Sequence, residues 1–398
     1  MRNKLLVLGL ATLLVIGLAL PSWAASFKAG DVDITLGGSA RLDVGWQVSD
    51  FGEMYDVDEE TGEIEYLDVE DSQTTFFLTN PGNSRLKIGA SYGDIFVYIE
   101  SGISSSGWSQ RHTYGQWNMG EGNLLTVGHT WSIFSLHFAN QRLASDDACI
   151  GAGCLYTGRN PQIRFTHKGD NFAFNIAIED TKVDTSIDGL WGSSAYLAED
   201  IIPAIMASAT FNMDMLSITP SVLYQQYKLK GITDEIDDVD ISGWGVSLDA
   251  TAKTDMASVD VSVWYAMNAA IWASLFDQRG GLITAGAPIS VDDGDDVEDV
   301  ASFGGFLEFG VPMGDNTLYL GAGYQQSDTE DYQDLIDEED LDLEDSVSNY
   351  ALYINYKYSI TKGFYIQPEV AYFNWGDDIL GEELGSDMYI GVHFQYDF

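Results

Sequence analysis

Polar and apolar residues alternate along most of this chain with a period of two. Val32, Ile34, Leu36, Leu42, Val44, Trp46 and Val48 are apolar, with Gly38 and Ala40 in phase, while Asp33, Thr35, Ser39, Arg41, Asp43 and Gln47 occupy the other parity. Such alternation marks a strand with one apolar face, and a run over residues 32–48 outlasts the usual strand of about 5–6 residues. A strand that crosses a bilayer needs about 9–11 residues, apolar toward lipid and polar toward the lumen. Residues 388–398 repeat the pattern and end on Phe398 itself, with Phe394 and Tyr396 in the same phase.

Between these ends the pattern predicts sixteen strands, at 32–48, 83–92, 94–101, 111–119, 123–131, 161–168, 171–180, 204–212, 216–230, 242–252, 258–269, 301–310, 316–327, 348–358, 363–374 and 387–398. Short gaps such as 93–94, 120–122, 169–170, 213–215, 312–315 and 361–362 alternate with long ones at 49–82, 132–160, 181–203, 231–241, 270–300, 328–347 and 375–386. Short turns on one side and long loops on the other are the signature of an up-and-down barrel. The expected fold class is therefore all-β, a transmembrane antiparallel up-and-down β-barrel of about sixteen strands.

Charge supports the same phasing. The chain has 398 residues with 18 Lys plus Arg against 62 Asp plus Glu, a formal net charge of −44. Residues 50–71, 234–240, 292–299 and 328–345 hold 33 of those acids and no Lys or Arg, and each falls in a long gap. All four therefore belong to one rim, as outer loops at 49–72, 231–241, 281–300 and 328–347. A surface this acidic is a poor partner for nucleic acid, whose phosphates need a basic face. The 10 Trp, 21 Tyr and 19 Phe are too many aromatic residues for a disordered chain.

Residues 1–24 read as a secretory signal: Arg2 and Lys4, then an apolar stretch from Leu5 to Leu20, then small residues up to Ala24. The barrel then occupies 25–398. Enzyme motifs do not survive inspection. Gly89-Ala90-Ser91-Tyr92-Gly93 has the spacing of a nucleophile elbow but sits between two strand patterns, where that motif needs a strand followed by a helix. His112, His129, His137, His167 and His393 have no metal-ligand spacing. Asp56-Val57-Asp58-Glu59-Glu60 begins like a calcium loop, but Thr61 replaces the glycine and Leu67 the final glutamate. No cofactor is expected beyond divalent cations held weakly between the acidic loops and lipopolysaccharide. Cys149 and Cys154 form an even pair in an exported chain, which favours a disulfide. Free thiols or a two-Cys metal site are the alternatives.

Several segments resemble the general bacterial trimeric porins of Gram-negative outer membranes. Asn83-Ser84-Arg85-Leu86-Lys87-Ile88-Gly89 is similar to their second strand, and Arg111 to Trp117 with Leu125-Thr126-Val127-Gly128-His129-Thr130-Trp131 to the next strand pair. Arg159-Asn160-Pro161-Gln162-Ile163-Arg164-Phe165 resembles the strand returning from their constriction loop, and Pro203 to Lys228 is most similar to the dicarboxylate-type members. The terminal Phe398 resembles their assembly signal. The resemblance implies a homotrimer in the outer membrane, in contact with lipid and lipopolysaccharide, each barrel passing small hydrophilic solutes past an inward-folded third loop at 132–160. It also implies a constriction with Asp146 and Asp147 on that loop facing Arg85, Arg111 and Arg164. The family's basic residue after Gly128 is replaced here by His129. Parity sends Arg41, Lys87, Lys168, Arg85 and Arg164 to the lumen, while Arg111 is ambiguous because His112, Tyr114 and Gln116 hold the other parity. Two readings compete with a channel: an adhesive or partner-binding barrel with a plugged lumen, and the sheath of an electron conduit. The acidic mouth leads one to expect cation preference at low ionic strength that fades at high salt.

Overall fold

The computed structural model describes residues 25–398 except 52–53, 58–63, 68–71, 105–106, 135–138, 145–151, 183–195, 232–237, 274–288, 292–295 and 331–343. The expected signal at 1–24 lies outside the described residues, as do most of the acidic runs.

The chain folds as β1 (Ala25–Ala29), β2 (Val32–Asp50), β3 (Met54–Val57), β4 (Ile64–Leu67), β5 (Ser72–Thr79), β6 (Ser84–Tyr92), β7 (Ile95–Ser104), β8 (Gly107–Gly120), β9 (Asn123–Trp131), β10 (Arg159–Lys168) and β11 (Phe172–Glu179). It continues as β12 (Tyr196–Met213), β13 (Leu216–Gly231), β14 (Val239–Lys253), β15 (Ser258–Met267), β16 (Ile289–Val291), β17 (Asp296–Glu298), β18 (Ala301–Met313), β19 (Asn316–Asp328), β20 (Ser346–Thr361), β21 (Phe364–Asn374) and β22 (Ser386–Asp397). Strands β3–β4 and β16–β17 are separate hairpins within two of the acidic loops.

The other 18 strands make one antiparallel sheet that closes when β22 pairs with β2, from Ser39↔Asp397 to Asp50↔Ser386. They form 16 staves. β5 and β6 are two halves of one stave against β2, and β1 extends the β22 row by pairing with Val32–Leu36. Each stave pairs with its sequence neighbours, so connections alternate between the two ends of the barrel. The segments 51–71, 232–238, 268–300 and 329–345 all leave at the end opposite the short turns.

Closure leaves the sheet without a free edge, which is what hydrocarbon demands of a spanning structure. The outward parity is apolar and exposed, with Val222 beside Val246 and Ile163 beside Ile178. The inward parity is polar and cross-bonded. Ser221 meets Ser247 at 2.5 Å, Ser262 donates to Asp249 at 2.6 Å, and Ser302 meets Ser327 at 2.7 Å. Among the described residues no helix is long and apolar enough to cross a membrane.

The core lies inside the barrel. Ile133, Phe134 and Leu155 of the β9–β10 loop pack with Met206, Leu223, Tyr227, Trp264 and Trp272. Ala139, Ala152 and Cys154 of the same loop pack with Phe306, Tyr353 and Phe373 on the adjoining β18–β21 wall. The third outer connection, between β9 and β10, is thus folded inward, as the resemblance implies.

The chain end is built into the seam. Phe398 exchanges both backbone hydrogen bonds with Gly38, at 2.9 and 3.1 Å. Its ring lies over Gly38, where a Cβ would meet the ring at 2.7 Å. Deletion of Phe398 is expected to remove most heat-resistant barrel from the membrane fraction. Insertion at the unmodified level would show that the terminal aromatic residue is dispensable.

Candidate functional site: a loop-narrowed lumen

Loop 132–158 is seated by two carboxylates on the β18–β21 wall. Glu308 and Glu369 are 1% and 3% exposed. Glu308 accepts from Asn140 N and Nδ2, both at 2.7 Å, and from the Tyr353 hydroxyl. Glu369 accepts from Arg142 N at 2.8 Å, Leu143 N at 2.7 Å and Asn355 Nδ2 at 2.9 Å. Asn355 Nδ2 and Gln367 Nε2 also donate to Asn140 O, at 2.8 and 2.9 Å. Further along, Trp264 Nε1 donates to Gly153 O at 2.8 Å, and Gly153 N donates to Gln325 Oε1 at 3.2 Å.

The base of the loop is tied to the outer loops. Lys182 Nζ donates to Thr157 O at 2.6 Å and to Trp272 O at 3.1 Å, and burial holds its ammonium below the usual lysine range. The loop therefore covers the β11–β15 and β18–β21 walls and faces β2 and β6–β10 across the remaining lumen.

That facing wall is basic. Arg111 Nε donates to Glu100 Oε1 at 2.8 Å, and Arg85 Nε lies 3.6 Å from the same oxygen. Tyr98 donates to Glu100 Oε2 at 2.8 Å. Arg111 points inward because a bulge interrupts the pairing of β7 with β8: Glu100 stands opposite His112 and Ser101 opposite Gln110, leaving Arg111 as the extra residue. A bulge places two successive residues against one partner, so Arg111 and His112 are both buried on the lumen side. The parity conflict in the sequence is resolved in this way.

Arg164 Nη1 reaches Trp131 O at 3.5 Å, and the Arg159 guanidinium sits 3.7 Å from the centre of the Trp131 ring. The Nε atoms of Arg159 and Arg164 are buried and find no acceptor. Rings continue along the β7–β8 face, with Tyr98–His112 centroids 5.8 Å apart and Tyr98–Tyr114 centroids 5.6 Å apart.

The other expected residues divide. Lys87 stands opposite Glu100 in register and shares its face, and Arg41 lies between Ser39 and Asp43 on the inward parity. Lys168 sits at the strand end, where its N donates to Gly122 O in the short turn, away from the Glu100 cluster. His129 follows Gly128, whose φ of +132° interrupts the pleat, and is within electrostatic range of Arg159. Asp146, Asp147 and Cys149 lie outside the described residues. Cys154 is a buried free thiol, held well above the usual thiol range by that burial.

Glu100, Arg142, Arg159, Lys357, Glu308 and Glu369 were not singled out from the sequence. Arg142 and Arg159 lie within the arginine-rich span 41–164 that the sequence does display. Lys357, within electrostatic range of Arg142 and Arg41, has no sequence signal. Among the described residues no group of three His, Cys, Asp or Glu could hold a metal ion.

No protein-family model matches this chain, and no curated protein matches it. Solved structures do resemble it in fold. The outer membrane channel DcaP of Acinetobacter baumannii is 21% identical and aligns with 95% of this chain and 100% of that one at a TM-score of 0.66. OmpT, an outer membrane protein of Vibrio cholerae, is 12% identical over 94% and 100% at 0.56. Salmonella typhi OmpF, solved with daunomycin, is 10% identical over 94% and 100% at 0.56. These likenesses are of the barrel and its connectivity.

Proposed function

We propose that this chain is an outer-membrane porin, a passive channel that admits small hydrophilic solutes and ions through a charged constriction. The observation that carries this reading is the division of the lumen: a loop clamped to one wall, facing a wall that carries Arg41, Arg85, Lys87, Arg111, Arg159 and Arg164 with Glu100 among them. Fixed charges around a narrow aqueous path select by charge and orient polar solutes, with no catalytic step. The apolar outer wall supports residence in a bilayer. Trimeric assembly rests on the resemblance to general porins, as does the dicarboxylate-type affinity of Pro203 to Lys228, which fits a basic wall.

Purified protein in a planar bilayer is expected to give stepwise conductance increments, recurring in threes for a trimer. A lumen partly filled by the two apolar clusters favours the second reading, a plugged structural barrel. Insertion without conductance steps would establish that reading in place of the first.

A further inference from the structure

Opposite the arginine wall, the backbone of the constriction loop enters a slot that only glycine allows. Gly323 of β19 faces the carbonyl of Ala152 so closely that a Cβ there would overlap that oxygen. Gly153 has a φ of +114°, and a Cβ on it would meet Tyr324 N at 2.6 Å and Gly323 Cα at 2.8 Å. Both obstacles are backbone atoms, which no rotamer change can clear. Gly153 is also gripped at both polar ends, by Trp264 at its carbonyl and Gln325 at its N–H. Ala152 and Cys154 on either side are 0% and 2% exposed.

We infer that Gly153 and Gly323 form a seat that sets how deep the loop lies against its wall, and so the width of the opening between the loop and the arginine wall. β19 is hydrogen-bonded along its length to β18 and β20, so the wall cannot give way. Packed interiors shift their weaker partner rather than compress. A methyl group at position 323 therefore moves the loop away from β18–β19 and toward the arginines, and the opening narrows. These are positioning residues: neither reaches the basic wall.

Two readouts test the seat. In a Cys149→Ser background Cys154 is the one thiol of the chain, and its seating protects it. Maleimide labelling of Cys154 in intact membranes is expected to be slow, and to rise about tenfold or more in Gly323→Ala as local opening of the loop becomes frequent. Gly153→Ala, a change in the loop that leaves every stave intact, should do the same, which guards against misfolding of the wall variant. Heat-modifiable mobility on gels reports barrel closure in both. Single-channel conductance should fall by on the order of 1.5-fold in Gly323→Ala, given the close packing of the seat, with a smaller change in reversal potential. Unchanged labelling in both closed variants overturns the seat. The conductance arm rests on the channel reading, and the labelling arm does not. Silence of the unmodified protein in bilayers, with labelling altered as described, would remove the channel and leave the seat.

Discussion

Replacing Glu369 with Ala is expected to turn a steady channel into a flickering one. The carboxylate gathers Arg142 N, Leu143 N and Asn355 Nδ2 at 2.7–2.9 Å in a site that is 3% exposed. Without it three buried donors lose their acceptor, each at about 1–3 kcal/mol, so the seated loop is destabilised by roughly 3–9 kcal/mol before relaxation. The Glu308 clamp and the Gly153 seat remain, so detachment is local and reversible. Single-channel records should show frequent transitions among current levels where the unmodified protein shows one. Glu369→Gln keeps one carbonyl acceptor but turns an amide N–H₂ toward donors, so it should flicker nearly as much. Glu199→Gln is the control: Glu199 is paired 2.8 Å from Lys230, but both are largely exposed at the outer end, and exposed pairs contribute little. Steady currents from Glu369→Ala would show that the loop is held elsewhere.

The part of the barrel legible in the sequence is the part governed by period two. A strand buried on one face and wetted on the other must alternate, and sixteen such runs with alternating gaps leave few topologies. Boundaries failed where alternation failed. β5 begins Ser-Gln-Thr-Thr and carries Phe76 and Phe77 on opposite faces, so the first long gap is 51–71 rather than 49–82. β12 starts at Tyr196, earlier than expected, because Glu199, Asp200 and Pro203 look like a loop. β1 is 5 residues long and too short to show a period.

The candidate site was legible on its basic side only. Arginines on the polar parity of a barrel strand announce a charged lumen wall. Glu308 and Glu369 lie on that parity too, but a lone acid there reads as solvated. Their partners are loop groups 168 and 226 residues away in sequence, a closeness that only the folded loop creates. Arg111 was unreadable for a different reason. One inserted residue inverts the parity after it, and a sequence pattern does not reveal the insertion.

Ion selectivity should reverse its emphasis with salt. Thirty-three acids per chain lie in segments that leave at one rim, against a lumen wall on which Arg85 and Arg111 share the single carboxylate of Glu100. Charges at the mouth act across several ångströms of electrolyte, and the Debye length is about 30 Å at 0.01 M but about 3 Å at 1 M. At low salt the mouth concentrates cations and sets the preference. At high salt its reach shrinks below the width of the vestibule, while an ion in the constriction still passes within contact distance of the guanidinium groups. Reversal potentials across a tenfold KCl gradient should therefore show cation preference near 0.01 M that fades, and gives way to weak anion preference, near 1 M. Glu100→Gln sharpens the test. It removes the carboxylate that both guanidinium groups meet, at about 3–5 kcal/mol for a wholly dry pair and less beside a wet lumen. Its reversal potential should move toward anions at 1 M and hardly at all at 0.01 M, where the mouth dominates. Anion preference of the unmodified channel at 0.01 M would mean that the arginine wall governs throughout, and the dicarboxylate-type affinity would then describe this pore.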